Sequence, residues 1–267
     1  MLILAATPIG NLEDASERLR KTLADCDHLY AEDTRNSARL LKHLGIDRPL
    51  SSFHEHSPPA IRERIGRQLE DGADVAYISD AGMPGINDPG YELVQLAYDR
   101  EIEVDVIPGP TAVINALVLS GLPSHAFCFL GFFPNTLEKR KTMLQRLLNI
   151  QMTAVFFEGP SRVLQTLAFL KEHAPQTPIA ICREMTKLHQ QVIRGLPVEV
   201  AEKLEVIKGE FVLVIGPVVV PAKTEDLSER YHALLDEGHS PNRAIKILAG
   251  EHRLPKREIY KKVHGEA

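Results

Sequence analysis

Three loops in this sequence combine glycine and proline in a pattern suited to holding a small molecule. They read Thr7-Pro8-Ile9-Gly10-Asn11, Asp80-Ala81-Gly82-Met83-Pro84-Gly85-Ile86-Asn87-Asp88-Pro89-Gly90 and Pro108-Gly109-Pro110-Thr111. Each follows an apolar run of strand length, at residues 2–6, 74–79 and 103–107. In an open α/β sheet, ligands bind beyond the carboxyl ends of the strands. Glycine lets backbone approach a ligand closely and proline stiffens the loop, so three such loops at one edge would present backbone N–H and C=O groups to it. Singly, each loop is ordinary turn composition. None reads GxGxxG or GxxxxGK[ST], which counts against a dinucleotide site and a Walker phosphate loop. No GxSxG elbow, HExxH helix or CxxC pair occurs either. His54-Glu55-His56 would put two imidazoles on one side of an extended segment. No third ligand stands at a defined spacing, so no metal is expected.

The elements that must carry these loops alternate as short apolar runs and helical patterns, the signature of parallel strands covered by helices. Eight strands are predicted, at 2–6, 28–31, 74–79, 103–107, 126–130, 153–157, 179–183 and 210–215. They fall more easily into two sheets than one. Thr34 is the predicted cap of the helix ending at Gly45; Ser57 with Pro58 and Pro59 opens another that runs to about Gly72. Asp88 with Pro89 starts a third, and a fourth runs from Thr111 to Gly121. Past residue 217 the strand pattern stops. Three short helices follow, over 227–237, 241–249 and 255–263, with Gly238 and Gly250 as breaks. The expected fold class is α/β: two α/β domains, 1–112 and 113–217, with a ligand cleft between them, and a small helical, helix-turn-helix-like tail at 223–267.

The 267 residues carry 31 Lys and Arg against 36 Asp and Glu, a net charge of -5. Such a balance argues against wholesale coating of nucleic acid. It is uneven, however: residues 223–267 hold nine basic and eight acidic residues, a net +1, leaving -6 for residues 1–222. The absence of Trp and the 6% aromatic content disfavour a stacking platform of the RRM type. Cys26, Cys128 and Cys182 are too far apart for a metal pair and odd in number, so they read as small buried hydrophobes. The longest apolar runs fall far short of the ~20 residues that span a bilayer, and the first residues lack a basic n-region and a cleavage site. No membrane association and a cytoplasmic location are the expectation.

Across residues 1–217 the segments TPIGNLEDASERL, AEDTRNSARLL, HEH, SDAGMPGINDPGYELV, PGPTAVINAL with SGLP, GFFP, FFEGPSR, REMTK and KGEFVLVI occur in this order. The chain thereby resembles the ribosomal RNA small-subunit methyltransferase I family of the tetrapyrrole-methylase-like superfamily. The resemblance implies S-adenosylmethionine held between two α/β domains, 2′-O-methylation of a cytidine ribose in the decoding region of 16S rRNA, and a homodimer. It also implies cofactor contacts from Pro8, Asp80, Met83, Thr111 and Ala112, and from Phe157, Arg183, Glu184 and Glu210 in the second domain. This sequence departs from the family in having Met83 where Thr is frequent and Cys182 where Ala is frequent. Both changes are conservative in size.

For that reaction the ribose hydroxyl would need a base, and Glu158, Glu184, His54 and Lys187 are the candidates, each at or beside a predicted strand end. Glu158 is the first choice as catalytic base; the competing reading is an ion pair with Arg162, four residues on. Lys187 serves as a base only if its pKa is lowered, and otherwise contacts phosphate. Arg35, Arg39, Arg140, Lys141 and Arg162 could meet RNA phosphates or be solvated helix charges. In the tail, Arg253, Lys256, Arg257, Lys261 and Lys262 gather at the last helix. The partner would be 16S rRNA or the 30S subunit. Competing readings are a relative acting on a tetrapyrrole or a protein side chain, and a non-catalytic ligand- or RNA-binding protein.

Overall fold

The computed structural model describes residues 1–219, 227–251 and 254–264. The first sheet contains β1 (Leu2–Ala5), β2 (His28–Ala31), β3 (Ser51–Ser52), β4 (Val75–Ile78) and β5 (Val104–Ile107) in the order β3-β2-β4-β1-β5. All its pairings are parallel. Side chains alternate between its faces, which explains why β1 and β4 are apolar without interruption. On one face Ile3, Ala5, Ala76 and Ile78 pack against Leu19 and Leu23 of α1 (Glu17–Asp25) and Leu40 and Leu41 of α2 (Thr34–His43). On the other, Leu2, Leu4, Val75 and Tyr77 meet Ile65 and Leu69 of α3 (Pro59–Glu70) and Leu93 and Leu96 of α4 (Gly90–Asp99).

Next in the chain comes α5 (Ala112–Ser120), which packs on the second sheet. That sheet holds β6 (Phe127–Phe132), β7 (Thr153–Glu158), β8 (Ile179–Arg183), β9 (Gln191–Gly195) and β10 (Phe211–Ile215) in the order β6-β7-β10-β8-β9. Val113, Ala116 and Leu117 of α5 cover Val155, Ala180, Cys182, Val212 and Val214. The opposite face is covered by α6 (Leu137–Ile150), α7 (Val163–His173) and α8 (Pro197–Lys203). Beyond them, α9 (Leu227–Asp236), α10 (Pro241–Glu251) and α11 (Lys256–His264) enclose a small core of Tyr231, Leu234, Ala244, Ile245, Leu248, Ile259 and Val263. Among the described residues, no helix is long and apolar enough to cross a membrane.

Several local expectations are corrected. Only β6 and β7 of the second sheet pair in parallel; the other pairings are antiparallel. The link from β8 to β9 is too short for a parallel crossover, so the chain must reverse. Two strands were absent from the prediction: β3 has only two residues, and β9 (QVIRG) is a polar edge strand with little apolar signal. Asp33 rather than Thr34 caps α2, its Oδ1 accepting the Arg35 N–H at 2.8 Å. Gly238 breaks the chain with φ +88°, but Gly250 lies inside α10. Cys26 and Cys182 are buried and Cys128 half-buried, all as free thiols. The predicted tail boundary at 223, and Arg253, lie outside the described residues.

Candidate active site

The three Gly/Pro loops meet at the carboxyl edge of the first sheet. Thr7 and Gly82 exchange backbone hydrogen bonds at 2.9 and 3.1 Å. A Cβ on Gly82, at φ +86°, would stand 3.3 Å from Ile9 Cγ2 and 3.5 Å from the Pro110 carbonyl, so this loop touches both of the others. A Cβ at Gly109 would lie 2.9 Å from that of Ala6, so the third loop is pressed onto the end of β1.

Opposite them stand the ends of β7, β8 and β10. Between the two sets lies a cleft of about 350 Å³, with Ile9, Ala81 and Ala112 on one wall. Phe132, Phe157, Met185 and Phe211 supply most of the other wall, with backbone at Gly159 and Gly209–Glu210. Phe157 sits edge-on to Phe129 and Phe132, at centroid distances of 4.9 and 5.7 Å. Phe132 is 51% exposed, and the Arg162 guanidinium lies 5.5 Å above its ring. A mostly apolar cleft of this size, with glycine backbone at its rim, suits a nucleoside-sized ligand held by stacking and by main-chain groups.

Of the residues expected at the cofactor, Ala112, Phe157 and Glu210 line this cleft, as does Glu158. Pro8, Met83 and Thr111 belong to the converging loops without forming its wall. Asp80 is not part of that wall; its carboxylate accepts the Asp33 N–H at 3.1 Å and the Asn36 side-chain amide at 3.2 Å. Arg183 is buried, donating to the carbonyls of Lys208 at 2.6 Å and His189 at 3.3 Å. It therefore braces two loops. Ile9, Ala81, Phe132, Met185 and Gly209 were missed. Ile9 and Ala81 lie within the loops read as ligand-holding and the other three within or beside quoted motifs, but none was singled out, because apolar wall residues look like core residues in sequence.

Glu158 as a free base is corrected. Its side chain is fully buried; Oε1 accepts from the Gly159 N–H at 2.8 Å and pairs with Arg162 at 2.8 Å, while Oε2 accepts from Thr166 Oγ1 at 2.6 Å. The ion-pair reading accounts for this arrangement. Arg162 is tied to Glu158 and to the Phe132 ring, and so is not a free phosphate contact. Arg140 is buried too, bonding the Pro134 and Gln165 carbonyls and Thr166. By contrast Arg35, paired with Asp33, and Arg39 are exposed on α2.

Lys187 is corrected as a base as well. Its Nζ lies 3.0 Å from Glu184 Oε1 and 3.0 Å from Glu210 Oε2. Burial favours the neutral amine, but the two carboxylates outweigh it and the pKa is raised. For Glu184, burial is likewise outweighed, here by the Glu210 N–H and Lys187, and its pKa is lowered. Glu184 and Thr186 both adopt positive φ, +48° and +65°. A β-branched residue rarely does so, which marks a constrained loop. That loop fits into a notch at Gly10, where a Cβ would stand 2.6 to 2.8 Å from Lys187, Thr186 and Met185. His54 is exposed beyond β3, its Nδ1 accepting the His56 N–H at 3.2 Å.

The fold and cleft are those of a methyltransferase class: residues 1–201 match the family model described as Tetrapyrrole (Corrin/Porphyrin) Methylases. A uroporphyrin-III C-methyl transferase from Thermus thermophilus complexed with S-adenyl homocysteine shares the fold, with TM-score 0.53 and 19% identity over 80% of this chain and 96% of that one. The ribosomal RNA small subunit methyltransferase I of Halalkalibacterium halodurans is 40% identical over 99% of this chain and 95% of its own. The protein of that name from Thermotoga maritima is 43% identical over 80% of this chain and 97% of its own. The chain belongs to the ribosomal RNA small subunit methyltransferase I family.

Proposed function

We propose that this methyltransferase uses S-adenosylmethionine to methylate the 2′-hydroxyl of a cytidine in the decoding region of 16S rRNA, presented as RNA or within the 30S subunit. The observation that carries the reading is the cleft between the converging loops and the second sheet, in a chain similar from end to end to relatives of that name. The donor supplies a methyl already activated on a sulfonium. The protein's main task is then alignment, worth roughly 7–11 kcal/mol when the reacting atoms are well placed. Phe157 and Phe132 offer stacking surface, Ala81 and Ala112 leave room, and the glycine rims bring main-chain groups close. Lys187, held protonated between two carboxylates, locks the 184–187 loop against Gly10.

In this reading the chain works as two α/β units, 1–112 and 113–217, with 223–267 an accessory RNA-binding unit in the cytoplasm. The tail carries an open groove lined by Arg243, Lys246, Lys256 and Arg257 together with Tyr260, a composition suited to an RNA backbone. Self-association into a homodimer is favoured by α5. Apart from Asn115 and Ser120 that helix is apolar, yet it leaves Ile114 and Val118 exposed, Val118 at 71%.

The deciding experiment is calorimetric titration with S-adenosylmethionine, followed by transfer of labelled methyl to 30S subunits and mapping of 2′-O-methyl positions. Donor binding with a new 2′-O-methylcytidine is the expected result. Donor binding with no transfer to RNA would refute the substrate assignment.

A further inference from the structure

The carboxyl ends of β2 and β4 gather polar groups that neither the core nor the cleft wall uses. Glu32 follows β2 and Asp80 follows β4, on adjacent strands, and the Asp80 N–H donates to Glu32 Oε2 at 3.3 Å. Asp80 has both carboxylate oxygens engaged by Asp33 and Asn36. Asp88 Oδ1 holds the Gly85 and Gly90 amides at 2.7 and 2.8 Å. Among the described residues, the Glu32 carboxylate accepts only its one long bond. The Tyr77 hydroxyl, fully buried and without a hydrogen-bond partner among the described residues, lies in the field of Asp88, Glu32 and Asp80. Tyr77 pairs in register with Tyr30, two residues before Glu32, so the orphaned hydroxyl and the under-used carboxylate belong to the same face at adjoining strands, a place that receives a polar group. Ala81, the neighbour of Asp80, belongs to the cleft wall, so this place adjoins the donor site.

We propose that Glu32 is the general base that takes the proton of the ribose 2′-hydroxyl; this rests on the 2′-O-methylation reading above. As the proton passes to the Glu32 carboxylate, an oxygen lone pair forms the new O–C bond. The carbon–sulfur bond breaks with its pair on sulfur, leaving a neutral thioether, and the carboxylic acid returns its proton to water. The surroundings are tuned for the task. Burial raises the Glu32 pKa and the charges of Asp80 and Asp88 add to this, while the Asp80 N–H and His54 oppose it. A base with a pKa raised toward the working pH accepts a proton more readily in the transition state.

The test compares Glu32→Gln, Glu32→Asp and His54→Ala with the wild type on 30S subunits. Loss of this base predicts a fall in kcat of roughly 10²- to 10⁴-fold in Glu32→Gln, with S-adenosylhomocysteine affinity within about twofold of wild type. The wild-type rate should fall on the acid side at a pH above that of an ordinary glutamate, and this limb should vanish in Glu32→Gln and persist in Glu32→Asp. His54→Ala should move it to higher pH. Because folding raises this pKa, the ionised group costs stability, so Glu32→Gln should raise Tm at pH 7 and lose that advantage below about pH 4.5. Wild-type turnover or an unchanged acid limb in Glu32→Gln overturns the assignment. Should that variant not fold, an acid limb unmoved in His54→Ala does the same. A wild type that transfers no methyl to subunits overturns the RNA reading and this assignment with it.

Discussion

Thr166 donates its hydroxyl to Glu158 Oε2 at 2.6 Å, joining the last residue of β7 to the inner face of α7. Arg162 closes the other side of the same carboxylate at 2.8 Å, so the acid at the cleft is held from both sides and has no free oxygen to offer. Removing one partner of such a buried group leaves the rest unsatisfied, at a cost of about 1–3 kcal/mol. Glu158→Gln should therefore lower stability in urea unfolding by about that amount, while the remaining folded protein turns over at close to the wild-type rate. A large loss of kcat in fully folded Glu158→Gln would restore this residue as the base.

Gly10→Ala introduces a Cβ within 2.6 Å of Lys187 Cγ and 2.8 Å of the Met185 carbonyl. The lysine stem can move but the carbonyl cannot, so the loop carrying Met185 must retreat from the cleft. A destabilisation of about 1–3 kcal/mol is expected, with donor affinity lowered tenfold or more. Calorimetric titration beside thermal melting checks both, and unaltered affinity would show that the notch does not support the donor site.

The pair formed by Glu184 and Lys187 sets a pH window. Glu184 is lowered on folding, so its contribution is present above its ordinary pKa of 4.5 and disappears as pH falls through the lower folded value. Lys187 is raised, so its contribution is complete below its ordinary 10.5 and is lost only as pH rises beyond that. Between these limits the loop at 184–187 stays locked. Donor affinity should be flat from pH 6 to 9, and in Lys187→Met it should be weaker across that whole range; an inflection near neutrality that Lys187→Met abolishes would contradict the locked pair.

Charge reversal at Lys256 and Arg257 should weaken 30S binding about tenfold at physiological salt. The slope of log affinity against log salt should shrink by about one to two, as two phosphate contacts are lost. Affinities measured across a salt series decide this, since a merely misfolded tail would lower affinity without that slope change.

Ile114→Glu with Val118→Glu places two charges on the outer face of α5. If that face joins two copies, light scattering should register a monomer where the parent is a dimer, with the melting temperature of each now independent of concentration. A parent that is itself monomeric at micromolar concentration counts against the homodimer.

Much of this architecture was readable because burial on both faces of a parallel sheet forces apolar runs such as LILA and VAYI, and loops at their ends must turn with glycine and proline. What escaped was set by the hydrogen-bond partners that the folded backbone supplies, whether near or far in sequence. β9 is polar, and it is a strand only because Ile179–Arg183 offers it an edge. Asp33 outranked Thr34 as cap because its side chain, in extended backbone, reaches the Arg35 amide.

The sequence by itself determined the order of elements, the three loops that converge and the family to which the chain belongs, since these depend on local periodicity and on residue types in a row. Tertiary structure alone decided which charged groups are available. Glu158, Arg140, Arg162, Arg183 and Lys187 were all candidates for the site, some with a structural reading beside the functional one, and each is engaged by partners that folding brings to it. The Glu32 carboxylate, unremarkable in AEDTR, accepts one long bond among the described residues. Whether a carboxylate is saturated or free depends on the donors that folding places around it, and those lie eight, twenty-six or forty-eight residues away.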